Sequence, residues 1–171
     1  MKKAQFYLLG IIVICVLVFV LLSTMPQEKY RTKQIDSFEK LWQNFYKESV
    51  FVVDEAVSNN LNLFAHFQNF TSDFKVYSKN IDSTFGFIYV LTDENHDTKI
   101  RNELESDANV LYKTNSSNGA LAKGAETIKD TNFVNITISS VEYHFDTTYS
   151  NMLHLLFYEK KADSIRVKQV N

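Results

Sequence analysis

The sequence predicts an α+β protein in which an N-terminal transmembrane helix continues into amphipathic helices packed on an antiparallel β-sheet. Three observations predict this fold: an uncharged apolar run near the N-terminus, two apolar stripes at helical spacing after it, and β-branched and aromatic segments in the second half. Helices first and strands after, without βαβ alternation, favour an antiparallel sheet. We divide the chain into a cytoplasmic stub with a transmembrane helix (1–26), an extracytoplasmic helical segment (27–80) and a sheet region packed with the helices (81–171).

The predicted membrane helix lies within residues 6–22, and no residue of 4–27 carries a charge. About 20 residues that rise about 1.5 Å each cross the ~30 Å hydrocarbon core of a bilayer. Lys2 and Lys3 precede the run, so the positive-inside tendency predicts a cytoplasmic N-terminus and an extracytoplasmic C-terminal domain. A cleaved secretory signal is disfavoured because residues 21–26 contain no pair of small residues at an A-x-A-like site.

The lipid bilayer is therefore a predicted partner, contacted through residues 4–24. Within this stretch, we assign the lipid and helix-to-helix contacts to five residues: Phe6, Leu9, Val13, Leu17 and Val20.

Two amphipathic helices are predicted next, because apolar residues recur at steps of three and four. The first stripe comprises Ile35, Phe38, Leu41, Trp42, Phe45, Val52, Val53 and Ala56, and the second comprises Leu63, Phe67, Phe70, Phe74 and Tyr77. Residues 58–60 (Ser-Asn-Asn) are a natural break between the helices. We expect Ile35, Phe38, Trp42 and Phe45 to dock the first helix on the sheet.

Extended segments follow the helices. Residues 85–92 are apolar, β-branched or aromatic at nearly every position, which predicts a central strand covered on both faces. Residues 93–99 are its turn, 100–104 and 108–113 are weaker strands, and 115–119 form a loop. In 133–145 the alternation slips by one residue, which predicts one long strand with a bulge near Ser139 and Ser140. Residues 153–157 and 165–167 predict a terminal hairpin.

Composition excludes several functional classes. Four glycines, at Gly10, Gly86, Gly119 and Gly124, cannot form a dinucleotide fingerprint, a P-loop or a nucleophile elbow. A single cysteine excludes an internal disulfide and multi-cysteine metal sites. The exported part carries 16 Lys and Arg, without Lys2 and Lys3, against 20 Asp and Glu, so its net charge of about −4 gives no attraction to nucleic acid. No cofactor is expected.

Few residues suggest a chemical site. Asp93, Asn95 and Asp97 match the first three ligand positions of a calcium loop, but the following pattern fails and a solvated hairpin turn is the better interpretation. Four separated histidines, His66, His96, His144 and His154, are expected on the surface. Asn69, Asn115 and Asn135 begin N-x-S/T sequons, so the exported part is a candidate glycoprotein.

The first residues resemble a known export signal. Lys2-Lys3-Ala4-Gln5-Phe6-Tyr7-Leu8-Leu9 leads directly into the aliphatic helix and resembles the class III signal of archaeal, type IV pilin-like surface proteins. The resemblance implies cleavage between Ala4 and Gln5 and a membrane helix that bundles in a filament. Pro26 also stands where many type IV pilins bend their helix. The glutamate that many pilins carry near the start of the helix is replaced here by Leu8 and Leu9.

We therefore expect a non-catalytic, single-pass cell-surface protein that acts as a pilin-like structural, adhesion or assembly subunit. It would associate with protein partners or with itself through the N-terminal helix, as part of a surface filament such as a type IV pilus. The alternative is a membrane-tethered extracytoplasmic binding or sensing module that acts with a membrane partner. A third hypothesis, a cryptic hydrolase, depends only on the acidic residues and histidines.

Overall fold

Two helices precede nine strands in the computed structural model, which describes residues 36–105, 108–162 and 164–171. The helices are α1 (Ser37–Ser58) and α2 (Leu63–Ile81). The strands are β1 (Phe85–Thr92), β2 (Asp97–Glu103), β3 (Val110–Lys113), β4 (Asn118–Ala120), β5 (Glu126–Asp130), β6 (Phe133–Ile138), β7 (Val141–Asp146), β8 (Leu153–Lys161) and β9 (Ser164–Val170).

Helix α1 begins at a cap. Asp36 has a non-helical backbone (φ −51°, ψ 125°), and its carboxylate accepts a hydrogen bond from the Phe38 amide at 3.1 Å. The expectation that an apolar helix runs on into the amphipathic one is therefore wrong at this boundary, because Asp36 has a non-helical backbone and α1 begins only after it. The predicted transmembrane helix itself lies outside the described residues. No helix in the described part of the chain is both long and apolar enough to cross a bilayer.

The strands form two antiparallel sheets, so the expectation of one sheet is wrong. Five strands are ordered β5-β2-β1-β8-β9 and four are ordered β4-β3-β6-β7. We call these the five-stranded and the four-stranded sheet. The sequence pattern missed the second sheet because β4 falls in a segment interpreted as a loop, and because β6 and β7, which pair with each other, were interpreted as one long strand.

The five-stranded sheet separates two hydrophobic cores. On one face, Phe87 and Tyr89 of β1 and Phe157 of β8 pack against α1 and α2. On the other face, Ile88 of β1 and Leu156 of β8 pack against residues of the four-stranded sheet. Every residue of β1 is buried, which confirms the prediction of a central strand covered on both faces. The order of layers is therefore helices, five-stranded sheet and four-stranded sheet.

The predicted bulge near Ser139 is a tight turn instead. Residues 133–145 are not one strand: β6 and β7 are antiparallel neighbours with Ile138 opposite Val141, so two residues connect them. Ser139 and Ser140 both have positive φ, at 50° and 69°, as the central residues of a type I′ turn require. The one-residue slip in alternation marks this reversal of the chain.

Candidate interaction surface

The outer side of the helix layer exposes an unusual number of apolar side chains. An amphipathic helix in a globular protein normally turns charged and polar residues to solvent. Here Phe51 of α1 is 69% exposed and Val76 of α2 is 67% exposed. Among the residues that the structure describes, eight of the thirteen exposed large hydrophobic residues lie between positions 46 and 81, namely Tyr46, Val50, Phe51, Val57, Leu61, Val76, Tyr77 and Ile81. This number of exposed apolar side chains makes the helix layer the candidate interaction surface.

A groove with a volume of about 250 Å³ opens between α1 and α2 on this layer. Its lining comprises Glu48 from α1 and Phe70, Asp73, Phe74 and Tyr77 from α2. We call this depression the helix groove. Its walls are aromatic and its charged groups are carboxylates.

The base of the helix groove is held by aromatic packing. The ring of Phe45 lies 5.1 Å from that of Phe70 and 4.8 Å from that of Phe74, measured between centroids. Phe45 is fully buried and also contacts Phe87 of the sheet at 4.5 Å. Because rings in a packed core keep their rotamers, the helix groove is a preformed feature.

The lysines of α2 turn away from the helix groove. Lys75 binds Glu103 of β2 at 2.5 Å, and Lys79 lies 3.1 Å from Glu105, just beyond the end of β2. Within the described residues, neither Glu48 nor Asp73 has a cationic partner within 4.0 Å. The two sides of α2 therefore differ in charge: paired cations face the sheet, and a carboxylate faces the helix groove.

The sheet side of α2 covers a strip of charged residues. Lys99, Arg101 and Glu103 alternate along β2 on the face toward the helices, and Glu103 receives hydrogen bonds from both Lys75 and Arg101. Burial alone would lower the pKa of Arg101, but hydrogen bonds from its guanidinium to Glu103 and Glu126 raise it. Sequence reasoning missed this strip because alternate charges in a strand normally mark a solvated face. Here α2 covers that face instead.

A second ionic cluster joins both helices to β8. Asp82, at the end of α2, accepts hydrogen bonds from Ser37 of α1 at 2.9 Å and from Lys161 of β8 at 2.6 Å. Lys161 also binds the buried Glu159 at 2.7 Å. Burial would raise the pKa of Asp82, but hydrogen bonds from Lys161, Thr84 and Ser37 outweigh it and hold that pKa well below the usual range. The cluster therefore links the start of α1 and the end of α2 to β8.

The proposed calcium residues form the β1–β2 turn. Asp93 accepts hydrogen bonds from the amides of Asn95 and Asp97, both at 2.9 Å, so its carboxylate stabilises the turn. A cavity of about 180 Å³ lies beside them, with Asn60 and Asn151 among its lining residues. In the ranges that the structure describes, no group of three or more His, Cys, Asp or Glu side chains is placed to hold a metal ion.

Three of the four histidines lie at or near the surface, and one does not. His66 lies 3.2 Å from Glu55, and His96 and His144 are exposed. His154 is only 3% exposed, so the expectation for this residue is wrong. Its Nε2 donates to the Asp146 carbonyl at 2.6 Å, and its Nδ1 has no partner among the described residues. The unforeseen second sheet is the reason, because it covers the face of β8 that the alternation assigns to solvent.

The sequon asparagines differ in accessibility. Asn69 is exposed on α2, and Asn115 is exposed while its side chain accepts a hydrogen bond from Thr131 at 2.6 Å. Asn135 is half-buried on β6 and donates to Glu142 at 2.5 Å. The processing residues Ala4 and Gln5 lie outside the described residues. So do the five residues assigned to membrane and helix contacts, Phe6, Leu9, Val13, Leu17 and Val20.

No protein-family model matches this chain, and no curated protein or solved structure matches it. The functional interpretation therefore depends on the geometry and chemistry of the chain itself.

Proposed function

We propose that this chain is a membrane-tethered, non-catalytic module whose folded domain lies outside the cytoplasm and binds a partner protein through the outer side of the helix layer. The observation that carries the proposal is the exposure of Phe51 and Val76 on the solvent side of two well-packed helices. When a partner removes solvated apolar side chains of this size from water, binding is favoured by about 25 cal/mol per Å² of apolar area buried.

The ionic clusters support a structural rather than a catalytic use of the buried charges. General acid–base catalysis at neutral pH needs groups whose pKa lies near the working pH. Hydrogen bonds from Lys161, Thr84 and Ser37 outweigh burial and lower the pKa of Asp82, and hydrogen bonds from Lys123 and Lys79 do the same for Glu105. Both carboxylates therefore stay ionised at neutral pH, where neither can act as a proton donor.

The tether is proposed from residues 6–22, whose uninterrupted apolar composition is long enough for a bilayer. Lys2 and Lys3 ahead of this run favour a cytoplasmic N-terminus. The test is extraction of cell membranes with alkaline carbonate. The full chain should stay with the lipid, whereas a chain that lacks residues 4–24 should be released. Protease added to intact cells should cut the folded domain.

A photocrosslinking amino acid tests the binding surface in the intact cell. Placed at Phe51 or Val76, it should give the same adduct, and the double variant F51D/V76D should bind the partner too weakly to be detected. Matched controls carry the crosslinker at Leu111 or Ile128, which are 43% and 49% exposed on strands of the two sheets. Equal adducts at all four positions would contradict the assignment of binding to the helix layer.

Self-assembly is the second candidate function, and the resemblance of residues 2–9 to a class III signal favours it. In this case the partner is another copy of the chain, and the mature subunit begins at Gln5. Intact-mass measurement of the protein from its native membrane decides the processing. Loss of the first four residues together with sedimentable polymers would support the assembly subunit. A retained N-terminus and a monodisperse particle in detergent would support the tethered binding module.

A further inference from the structure

We infer that the helix groove binds a lysine or arginine side chain of the partner polypeptide. This inference rests on the proposed function and adds the chemistry of the partner to it. The juxtaposition that carries it is two carboxylates, Glu48 and Asp73, on the same depression as the aromatic rings of Phe70, Phe74 and Tyr77.

The chemistry of the lining is complementary to a cation. Aromatic faces attract Lys and Arg groups that lie within about 6 Å of the ring centroid, and carboxylates form charge-assisted hydrogen bonds with the same groups. Glu48 and Asp73 are exposed, and no cation of the described residues lies within ion-pairing distance of either. An anionic side chain would be repelled by these carboxylates, and a neutral donor would form a hydrogen bond without the ionic attraction that a cation adds.

The same combination of an aromatic ring and two carboxylates binds a cation elsewhere in this protein. The guanidinium of Arg166 lies 4.6 Å from the centroid of the Phe38 ring and forms ion pairs with Asp36 and Glu159. That arrangement comprises one aromatic face, two carboxylates and one intramolecular cation. The helix groove has the aromatic faces and the two carboxylates, and its cation would come from a partner.

The size of the helix groove favours one side chain over a free small molecule. Sites for drug-sized ligands have volumes of about 300–1,000 Å³, whereas this groove has a volume of about 250 Å³. The exposed Tyr77 lies within it, and other exposed apolar residues such as Val76 and Phe51 belong to the same layer. A polypeptide with one basic residue flanked by apolar residues could fill the groove and cover the surrounding apolar surface at once.

Selection of displayed random peptides on the full chain in detergent tests the inference. Bound peptides should be enriched in Lys or Arg beside apolar residues. The variant E48Q/D73N should bind these peptides roughly 5- to 10-fold more weakly, because it loses two charge contacts while keeping shape and aromatic lining. The matched control D97N/D130N makes the same change in net charge at exposed carboxylates of β2 and β5, away from the helix layer, and should bind them as the native chain does.

The possible outcomes separate the inference from the proposed function. Peptides without basic residues that lose binding to F51D/V76D but not to E48Q/D73N would overturn the inference and leave the proposed function standing. Peptides that F51D/V76D binds as tightly as the native chain would overturn both. Equal weakening by E48Q/D73N and by D97N/D130N would show a general charge effect and overturn the inference. Dimers of the full chain that F51D dissociates and E48Q/D73N does not would assign the surface to a second copy, and would also overturn it.

Discussion

Tyr89 of β1 lies directly opposite Arg101 of β2, and no hydrogen bond of standard geometry joins its buried hydroxyl to a described residue, although the Thr71 side chain lies near it. Burial raises the pKa of this phenol, so it stays protonated at physiological pH. The hydroxyl has lost its hydration without gaining a partner, which costs about 1–3 kcal/mol in mutational studies.

We expect the substitution Tyr89→Phe to raise the free energy of unfolding by about 1 kcal/mol, because it removes only the unbonded hydroxyl. Urea unfolding of the detergent-solubilised full chain, followed by the fluorescence of the single tryptophan, Trp42, measures the change. Tyr158→Phe on β8 is the comparison, since the hydroxyl of Tyr158 is not among the buried unbonded atoms. A loss of more than 1 kcal/mol in Tyr89→Phe would mean that a bound water satisfies the hydroxyl.

The turn between β6 and β7 is suboptimal in sequence. Ser139 and Ser140 both adopt positive φ, which costs an L-residue about 1–2 kcal/mol and suits Asn and Gly better. We expect S139N/S140G to raise the free energy of unfolding by about 1 kcal/mol. Ser83→Gly provides the control at an exposed serine without positive φ and should not stabilise the chain. No gain in S139N/S140G would argue against the type I′ geometry.

Because of Asp82, the free energy of unfolding of the domain should fall as the pH is lowered below about 4. Its folded pKa lies below its unfolded value of about 3.9, since the hydrogen bonds from Lys161, Thr84 and Ser37 outweigh burial. The contribution is therefore fully present above about pH 4 and is lost as the pH falls toward the folded pKa. We expect Asp82→Asn to cost about 2 kcal/mol at pH 7 and much less near pH 2. A difference that is constant between pH 7 and pH 2 would contradict this assignment.

Gly86 should be intolerant of any side chain. A Cβ atom at this position would lie 2.7 Å from the Leu104 Cα and 2.9 Å from the Glu105 amide nitrogen, and backbone atoms cannot rotate away. We expect Gly86→Ala to lower the free energy of unfolding by about 3 kcal/mol, because the β1–β2 pairing must shift. Gly119→Ala would meet only the Tyr112 ring, at 3.1 Å, and should cost less than 1 kcal/mol. Equal costs in the two variants would show that the close approach is unimportant.

The elements that could be predicted are those in which the apolar residues at regular spacing are also the residues that the fold buries. Phe45 and Phe67 recur on the buried stripes of α1 and α2, and β1 is apolar throughout because both its faces are covered. The β8–β9 hairpin was also anticipated from alternating apolar residues. In each case local spacing and tertiary burial require the same residues.

The elements that could not be predicted depend on partners distant in the sequence. Glu103 is polar yet 5% exposed, because Lys75 and Arg101 surround it and α2 covers it. His154 is buried by a sheet whose strands are short and only partly apolar. The helix groove depends on how α1 and α2 lie side by side, and no spacing within either helix specifies that. Charge alternation along β2 is visible in the sequence, but it normally marks a solvated face and so does not indicate the covered strip.

The position of β8 constrains how the domain can be made. Phe157 packs edge to face against Phe45, with 5.4 Å between ring centroids, and β8 forms hydrogen bonds along β1 at the middle of the five-stranded sheet. Phe45 is translated long before Phe157. Strand β1 can cover part of the aromatic face of the helices early, but the part of α1 that packs on β8 stays exposed to solvent until almost the last strand has been translated. A chain truncated before β8 should be unable to complete the hydrophobic core between the helices and the five-stranded sheet. It would be a substrate for chaperones and proteases.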